Sequence, residues 1–225
     1  MWFLACSPSY TAQQDSVTAL QSDELVQVTI EKWISFEPVD TTKDIAVVFY
    51  PGGRVEPQAY SPILRKIAEH GYPSYIVMPP MDLAIFDQDM AETIIDSSSI
   101  SQWVLSGHSL GGVAAAKMTE VLEDEIVGLS LWASYPAGSV DISEKNVAVQ
   151  SLAGTKDTVL DWDNWLESDS QLPADTSWLE IEGGNHSQFG DYGAQDGDGE
   201  ASISKEEQWE ITSQSVLELL QQVSR

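Results

Sequence analysis

Residues Val104–Gly112 read "VLSGHSLGG". An apolar run reaches Gly107, Ser109 follows two positions later, and Gly111 stands two beyond that. An alanine-rich stretch of helical spacing, Val113–Val121, comes next. The pattern G-x-S-x-G is short, and alone it fits any glycine-rich turn with a solvated serine. Between an apolar strand and a helix it describes a serine on a sharp strand-to-helix turn. Such a turn strains the serine backbone, and glycines on either side let strand and helix approach closely. The hydroxyl then stands at the carboxyl edge of a sheet, beside a helix N-terminus that favours negative charge.

The segments around this turn extend the same alternation. Upstream, "LVQVTIEKWISFEP" (Leu25–Pro38) alternates apolar and polar residues, as half-buried antiparallel strands do. "DIAVVFY" (Asp44–Tyr50) is a short continuous apolar run, expected of a strand covered on both faces. "PQAYSPILRKIAEHG" has helical spacing and stops at Gly71. "PSYIVM" then predicts a strand, Asp87–Ser97 a helix and "SQWVLSG" the strand that enters the turn. Downstream come the strands "IVGLSLWAS" and "NVAVQSLAG", a helix over Val159–Glu167, the strand "TSWLEIEG" and a helix over Glu206–Val223. Strands alternating with helices imply parallel pairing through right-handed crossovers. The expected fold is therefore an α/β three-layer sandwich, with a mostly parallel sheet and an N-terminal antiparallel strand pair.

At 225 residues and 42% hydrophobic composition, the chain suits one large core. Residues 1–24 are expected as a disordered leader or tether, and residues 25–225 as the domain. The formal net charge of −26 repels phosphate backbones and anionic lipid surfaces, which argues against nucleic-acid binding. No apolar run approaches the length of a membrane span. The lone cysteine, Cys6, cannot form an internal disulfide. "LAC" followed by "SPSYTAQQDS" is similar to the end of a bacterial lipoprotein signal, although only five residues precede Cys6. An acylated Cys6 would give a lipid-anchored extracytoplasmic protein; otherwise the expectation is cytoplasmic.

A serine needs a base to take its proton. Three histidines are available. His70 precedes a helix-ending glycine and reads as a surface or cap residue. His108 adjoins the serine, but neighbouring side chains on a tight turn diverge, so packing is its expected role. His186 lies in "GGNHSQFGDYG" (Gly183–Gly193), the loop after the last strand, and is the candidate base. Asp157, just past "SLAG", is the candidate orienting carboxylate; Asp161 falls inside the next expected helix. The order Ser109, Asp157, His186 suits three loops at one sheet edge. The N–H of Leu110 is one expected oxyanion donor. Gly53 in "YPGGRVE" is the second, with Arg54 as the alternative.

These residues resemble the α/β-hydrolase superfamily, among it the small lidless members akin to dienelactone hydrolases. "FYPGGRVEPQAYSPI", "SGHSLGG", "LWASYPA", "GTKDTV" and "GGNHSQFGDYG" are similar to a bacterial subfamily of esterase-like hydrolases, several of them lipoprotein-like. The resemblance implies a serine carboxylic-ester hydrolase acting through an acyl-enzyme, on a small-molecule ester, with no cofactor or metal. Dienelactone hydrolases carry a cysteine where Ser109 stands, which favours ordinary ester cleavage. The same residues would equally serve acyl transfer, thioester or peptide hydrolysis, and a binding protein that keeps the fold is the non-catalytic alternative. Only a loop and a strand fit between Trp132 and Asp157, which excludes a large cap there. Met81, Phe86, Tyr135 and Phe189 are candidates for the substrate wall, and each reads equally well as core. "DGDGEASISKEE" (Asp196–Glu207) matches the spacing of a twelve-residue calcium loop, with Ala201 where that loop needs glycine. The plainer expectation is a solvated link into the last helix.

Overall fold

A computed structural model describes residues 10–40, 42–84, 87–122 and 125–224. One mixed sheet forms the middle layer. Its strands are β1 (Val26–Ile30), β2 (Trp33–Pro38), β3 (Ile45–Tyr50), β4 (Ser74–Val77), β5 (Gln102–His108), β6 (Ile126–Trp132), β7 (Ala148–Gly154) and β8 (Ser177–Ile181). Their spatial order is β1-β2-β4-β3-β5-β6-β7-β8. β2 pairs antiparallel with both β1 and β4, and every other pairing is parallel. The parallel strands therefore present their carboxyl ends along one edge.

Alternation along β3 explains its apolar run. Ile45, Val47 and Phe49 enter one core with α2 (Ser61–Glu69) and α6 (Lys205–Val223). Ala46, Val48 and Tyr50 enter the core on the opposite face, with α3 (Met90–Asp96) and α4 (Leu110–Val121). Both faces being covered, polar residues have no place on this strand. The three-layer sandwich expected from the sequence is the architecture found. A further short helix, α5 (Trp162–Glu167), starts later than expected, and Asp161 lies at its N-cap rather than inside it, accepting a bond from the Asn164 N–H at 3.1 Å.

The described part of the expected leader, residues 10–24, is not free. Tyr10 bridges to Val55, and α1 (Gln14–Ala19) docks on the domain. The buried carboxylate of Asp191 holds it, accepting from the Ser16 N–H at 2.8 Å and the Ser16 hydroxyl at 3.1 Å. Ser16 is buried and bonded to the domain, while most of the polar side chains around it stay exposed. Cys6 lies outside the described residues. Among the described residues no helix is long and apolar enough to cross a membrane.

Candidate active site

Among the described residues, backbone strain gathers in the loops at the carboxyl ends of β3, β4, β5 and β6. Among the described residues, the non-glycine residues with positive φ are Arg54, Met81, Asp82, Ser109 and Ala133. Arg54 follows β3, Met81 and Asp82 follow β4, Ser109 follows β5 and Ala133 follows β6. Such strain persists only where the surroundings over-determine it, and it gathers at functional sites.

Ser109 sits between β5 and α4 with φ 51° and ψ −122°. The turn has no slack. A methyl group on Gly107 would lie 2.4 Å from the Gly111 carbonyl, and one on Gly111 would lie 2.1 Å from the Tyr50 oxygen. Backbone bonds tie the serine to the sheet, from its N–H to the Trp132 oxygen at 2.9 Å. The Ser134 hydroxyl donates to the Ser109 carbonyl at 2.7 Å.

His186 follows β8 and is buried. Its Nδ1 lies 2.8 Å from Asp157 Oδ2. The other carboxylate oxygen of Asp157 accepts from the N–H groups of Val159 and Leu160, each at 2.8 Å. Asp157 therefore orients the imidazole and also organises the loop that leads to α5. A bond to a carboxylate places the proton on Nδ1 and leaves Nε2 as the acceptor. That nitrogen is buried and has no hydrogen-bond partner among the described residues. Ser109 and His186 both line one open cavity of about 270 Å³, with Leu110, Val113, Ala133 and Leu160 among its walls. The cavity floor is mostly apolar. Tyr135 and Ala137 are shared with a neighbouring groove of about 650 Å³, which continues over Asn164, Ser170 and Gln171.

The family model of the alpha/beta hydrolase family matches residues 46–210. The chain belongs to this family. No curated protein matches the hydrolase. Its fold is similar to that of a ferulic acid esterase from Streptomyces cinnamoneus, at TM-score 0.68 and 15% identity over 83% of this chain and 68% of that one. It is similar as well to the esterase Est2 of Thermogutta terrifontis, at TM-score 0.57 and 13% identity over 87% and 92% of the two chains. Mouse alpha/beta hydrolase domain-containing protein 10 gives TM-score 0.62 and 10% identity over 88% and 98%. At these identities the likeness concerns the fold.

The other expected residues of the hydrolase divide. Gly53 packs against Leu110, since a methyl on it would meet the Leu110 side chain at 3.1 Å. The alternative donor, Arg54, is committed elsewhere: its N–H bonds the Asp82 oxygen at 2.7 Å. Tyr135 lines the cavity, whereas Phe189 does not. It is fully buried in the core, stacked on Trp132 at 6.2 Å, because the 3₁₀ turn after His186 points it inward. Met81 is exposed and lies outside the cavity walls. Phe86 lies outside the described residues. No segment between β6 and β7 forms a helix or strand, so no cap stands there.

Sequence reasoning missed the support of the histidine loop. Asp198, read as part of an acidic run, turns both oxygens towards that loop. Oδ2 accepts the Ser187 N–H at 2.8 Å, and Oδ1 accepts the N–H groups of His186 at 3.3 Å and Gly199 at 2.8 Å. Gln208 of α6 clamps Asn185 from the other side, accepting its N–H at 3.0 Å and donating to its carbonyl at 2.8 Å. The calcium spacing has no counterpart in space. Among the described residues no three His, Cys, Asp or Glu side chains gather where a metal ion would sit. Ser204 instead caps α6, its hydroxyl accepting the Glu207 N–H at 3.1 Å.

His70 caps α2 at the surface, with Nδ1 2.8 Å from the Lys66 carbonyl. His108 is buried, and its ring lies 4.4 Å from that of His186 between centroids. Burial, and secondly the charge that His186 can carry, hold its pKa well below the ordinary value of 6.5.

Proposed function

We propose that this hydrolase cleaves carboxylic esters through an acyl-enzyme on Ser109. One observation carries the reading: His186, held by Asp157 at 2.8 Å, lines the same cavity as the strained Ser109. In the proposed reaction His186 Nε2 takes the Ser109 proton as the hydroxyl oxygen attacks the ester carbonyl. Asp157 stabilises the imidazolium that forms. The N–H groups of Leu110 and Gly53 receive the oxyanion. His186 then protonates the departing alcohol, and water, activated the same way, releases the acid and restores the serine. The carboxylate acts through the histidine.

The cavity supports a small acyl group, its walls being short apolar side chains. The polar groove beyond Tyr135 supports a hydroxyl-bearing remainder of the ester rather than a long hydrocarbon chain. A strongly acidic surface disfavours anionic substrates. The test is labelling with a fluorophosphonate, followed by mass spectrometry and a panel of p-nitrophenyl esters, thioesters and peptides. The native protein is expected to carry the adduct on Ser109 and to turn over short acyl esters fastest. Ser109→Ala should lose the label and about 10⁶-fold in kcat. A native protein that takes no label on Ser109 overturns the reading.

A further inference from the structure

Two buried polar side chains behind the nucleophile turn have no part in the reaction just described. They are Tyr60, at the end of the 3₁₀ turn before α2, and His108, next to Ser109. Both meet at one hydroxyl. Tyr60 Oη accepts the Gly52 N–H at 3.0 Å and lies 2.9 Å from His108 Nδ1. Nδ1 is the acceptor within reach of the hydroxyl hydrogen, and we assign the bond as the hydroxyl donating to Nδ1. That assignment leaves the His108 proton on Nε2 and the ring neutral. The three groups are closed on one another: a methyl on Gly52 would stand 2.7 Å from both Tyr60 Oη and His108 Nδ1. Tyr60 itself cannot drift, its ring packing 4.6 Å from Phe49 and 6.5 Å from Tyr192.

Gly52 adjoins Gly53, and Gly53 packs on Leu110. The Tyr60 hydroxyl holds the N–H side of Gly52, and the Val55 N–H, bonded to the Gly52 carbonyl at 3.2 Å, holds its other side, so that the Gly52–Gly53 peptide supplying the proposed second oxyanion donor is fixed from both ends of Gly52. We propose that Tyr60 is a positioning residue, whose hydroxyl bolts the Gly52–Gly53 segment to the nucleophile turn through His108. The proposal rests on the ester-hydrolase reading above. Donors must be aimed at where the oxyanion forms, and a small misplacement costs rate rather than substrate affinity. Neutrality of His108 serves the same end: a second positive imidazole beside His186 would oppose proton uptake from the serine.

The experiment compares Tyr60→Phe, His108→Asn and His108→Leu with the native protein. Tyr60→Phe keeps the ring and deletes the hydroxyl. It should lower kcat by about 10- to 100-fold with KM nearly unchanged. Affinity for a trifluoromethyl ketone, which forms a tetrahedral adduct, should fall with kcat/KM, while fluorophosphonate still labels Ser109. Asn at position 108 offers an acceptor near Nδ1 and should retain most activity; Leu should behave as Tyr60→Phe does. Equal losses in the Asn and Leu variants overturn the proposal even where Tyr60→Phe fails to fold. So does a Tyr60→Phe enzyme with native kcat and native ketone affinity. Native protein that does not label removes the ester-hydrolase reading itself, an outcome distinct from either.

Discussion

Around Ser109 the backbone is held by its own bulk; around His186 it is held by side chains brought from elsewhere in the chain. At the nucleophile turn, Gly107 and Gly111 leave no room even for a methyl group, and Ser109 passes between them at positive φ. At the histidine loop, Asp157, Asp198, Asn185 and Gln208 supply the hydrogen bonds, spread over a long stretch of sequence. Repulsion rises steeply as atoms close on one another and tolerates almost nothing. Hydrogen bonds have gentler wells and admit partial loss. One half of the site should thus break all at once and the other by degrees.

The largest effect should come from the steric half. Gly111→Ala drives a methyl to 2.1 Å from the Tyr50 oxygen, where β3 and α4 meet through backbone. A loss of at least about 3 kcal/mol, read from the urea midpoint, is expected. A native midpoint would mean that the turn has slack and the contrast is false.

Asp198→Asn probes the polar half without changing size. It removes the charge from bonds to the His186, Ser187 and Gly199 N–H groups. The expected cost is about 1.5–3 kcal/mol, since these bonds are charge-assisted. It should show as faster amide exchange at Ser187 and Gln188 and slower labelling of Ser109, with exchange across β5 and α4 unchanged. Exchange rising equally in both regions would erase the distinction.

The smallest effect concerns His108, the residue that joins the two halves. Because its pKa is depressed in the folded protein, the unfolded chain binds its proton more readily. Its contribution is therefore complete above the ordinary value of 6.5 and shrinks as the pH falls below it. The stability difference between native protein and His108→Asn should drift against the native form on acidification, by at most about 1.4 kcal/mol per pH unit. A difference flat with pH would show that His108 is not held neutral by its surroundings.

The two halves differ as sharply in how readily they are read. G-x-S-x-G states its geometry within five residues, because the clashes that force it are local. β3 likewise declared its burial on both faces by being apolar throughout. Elimination among three histidines made His186 the candidate base, but nothing pointed to its support: Asp198 looks the same whether it binds calcium, water or an N–H group. Gln208 and Tyr60 lie in helical contexts whose spacing says nothing of their polar ends. Phe189 failed for the opposite reason, since an aromatic residue near a site fits pocket and core alike until the chain direction is known.

By itself the sequence determined the α/β alternation, the strained serine turn and the order in which Ser109, Asp157 and His186 come to one sheet edge. These depend on hydrophobic period and on glycine sterics, both local properties. Only the tertiary structure decided which N–H faces which oxygen. It turned residues 10–24 of a polar leader into a strap held by Asp191, an acidic run into the brace of the histidine loop, and a tyrosine before α2 into the partner of Gly52 and His108. Hydrogen bonds join residues by position and not by separation along the chain, so no local pattern records them.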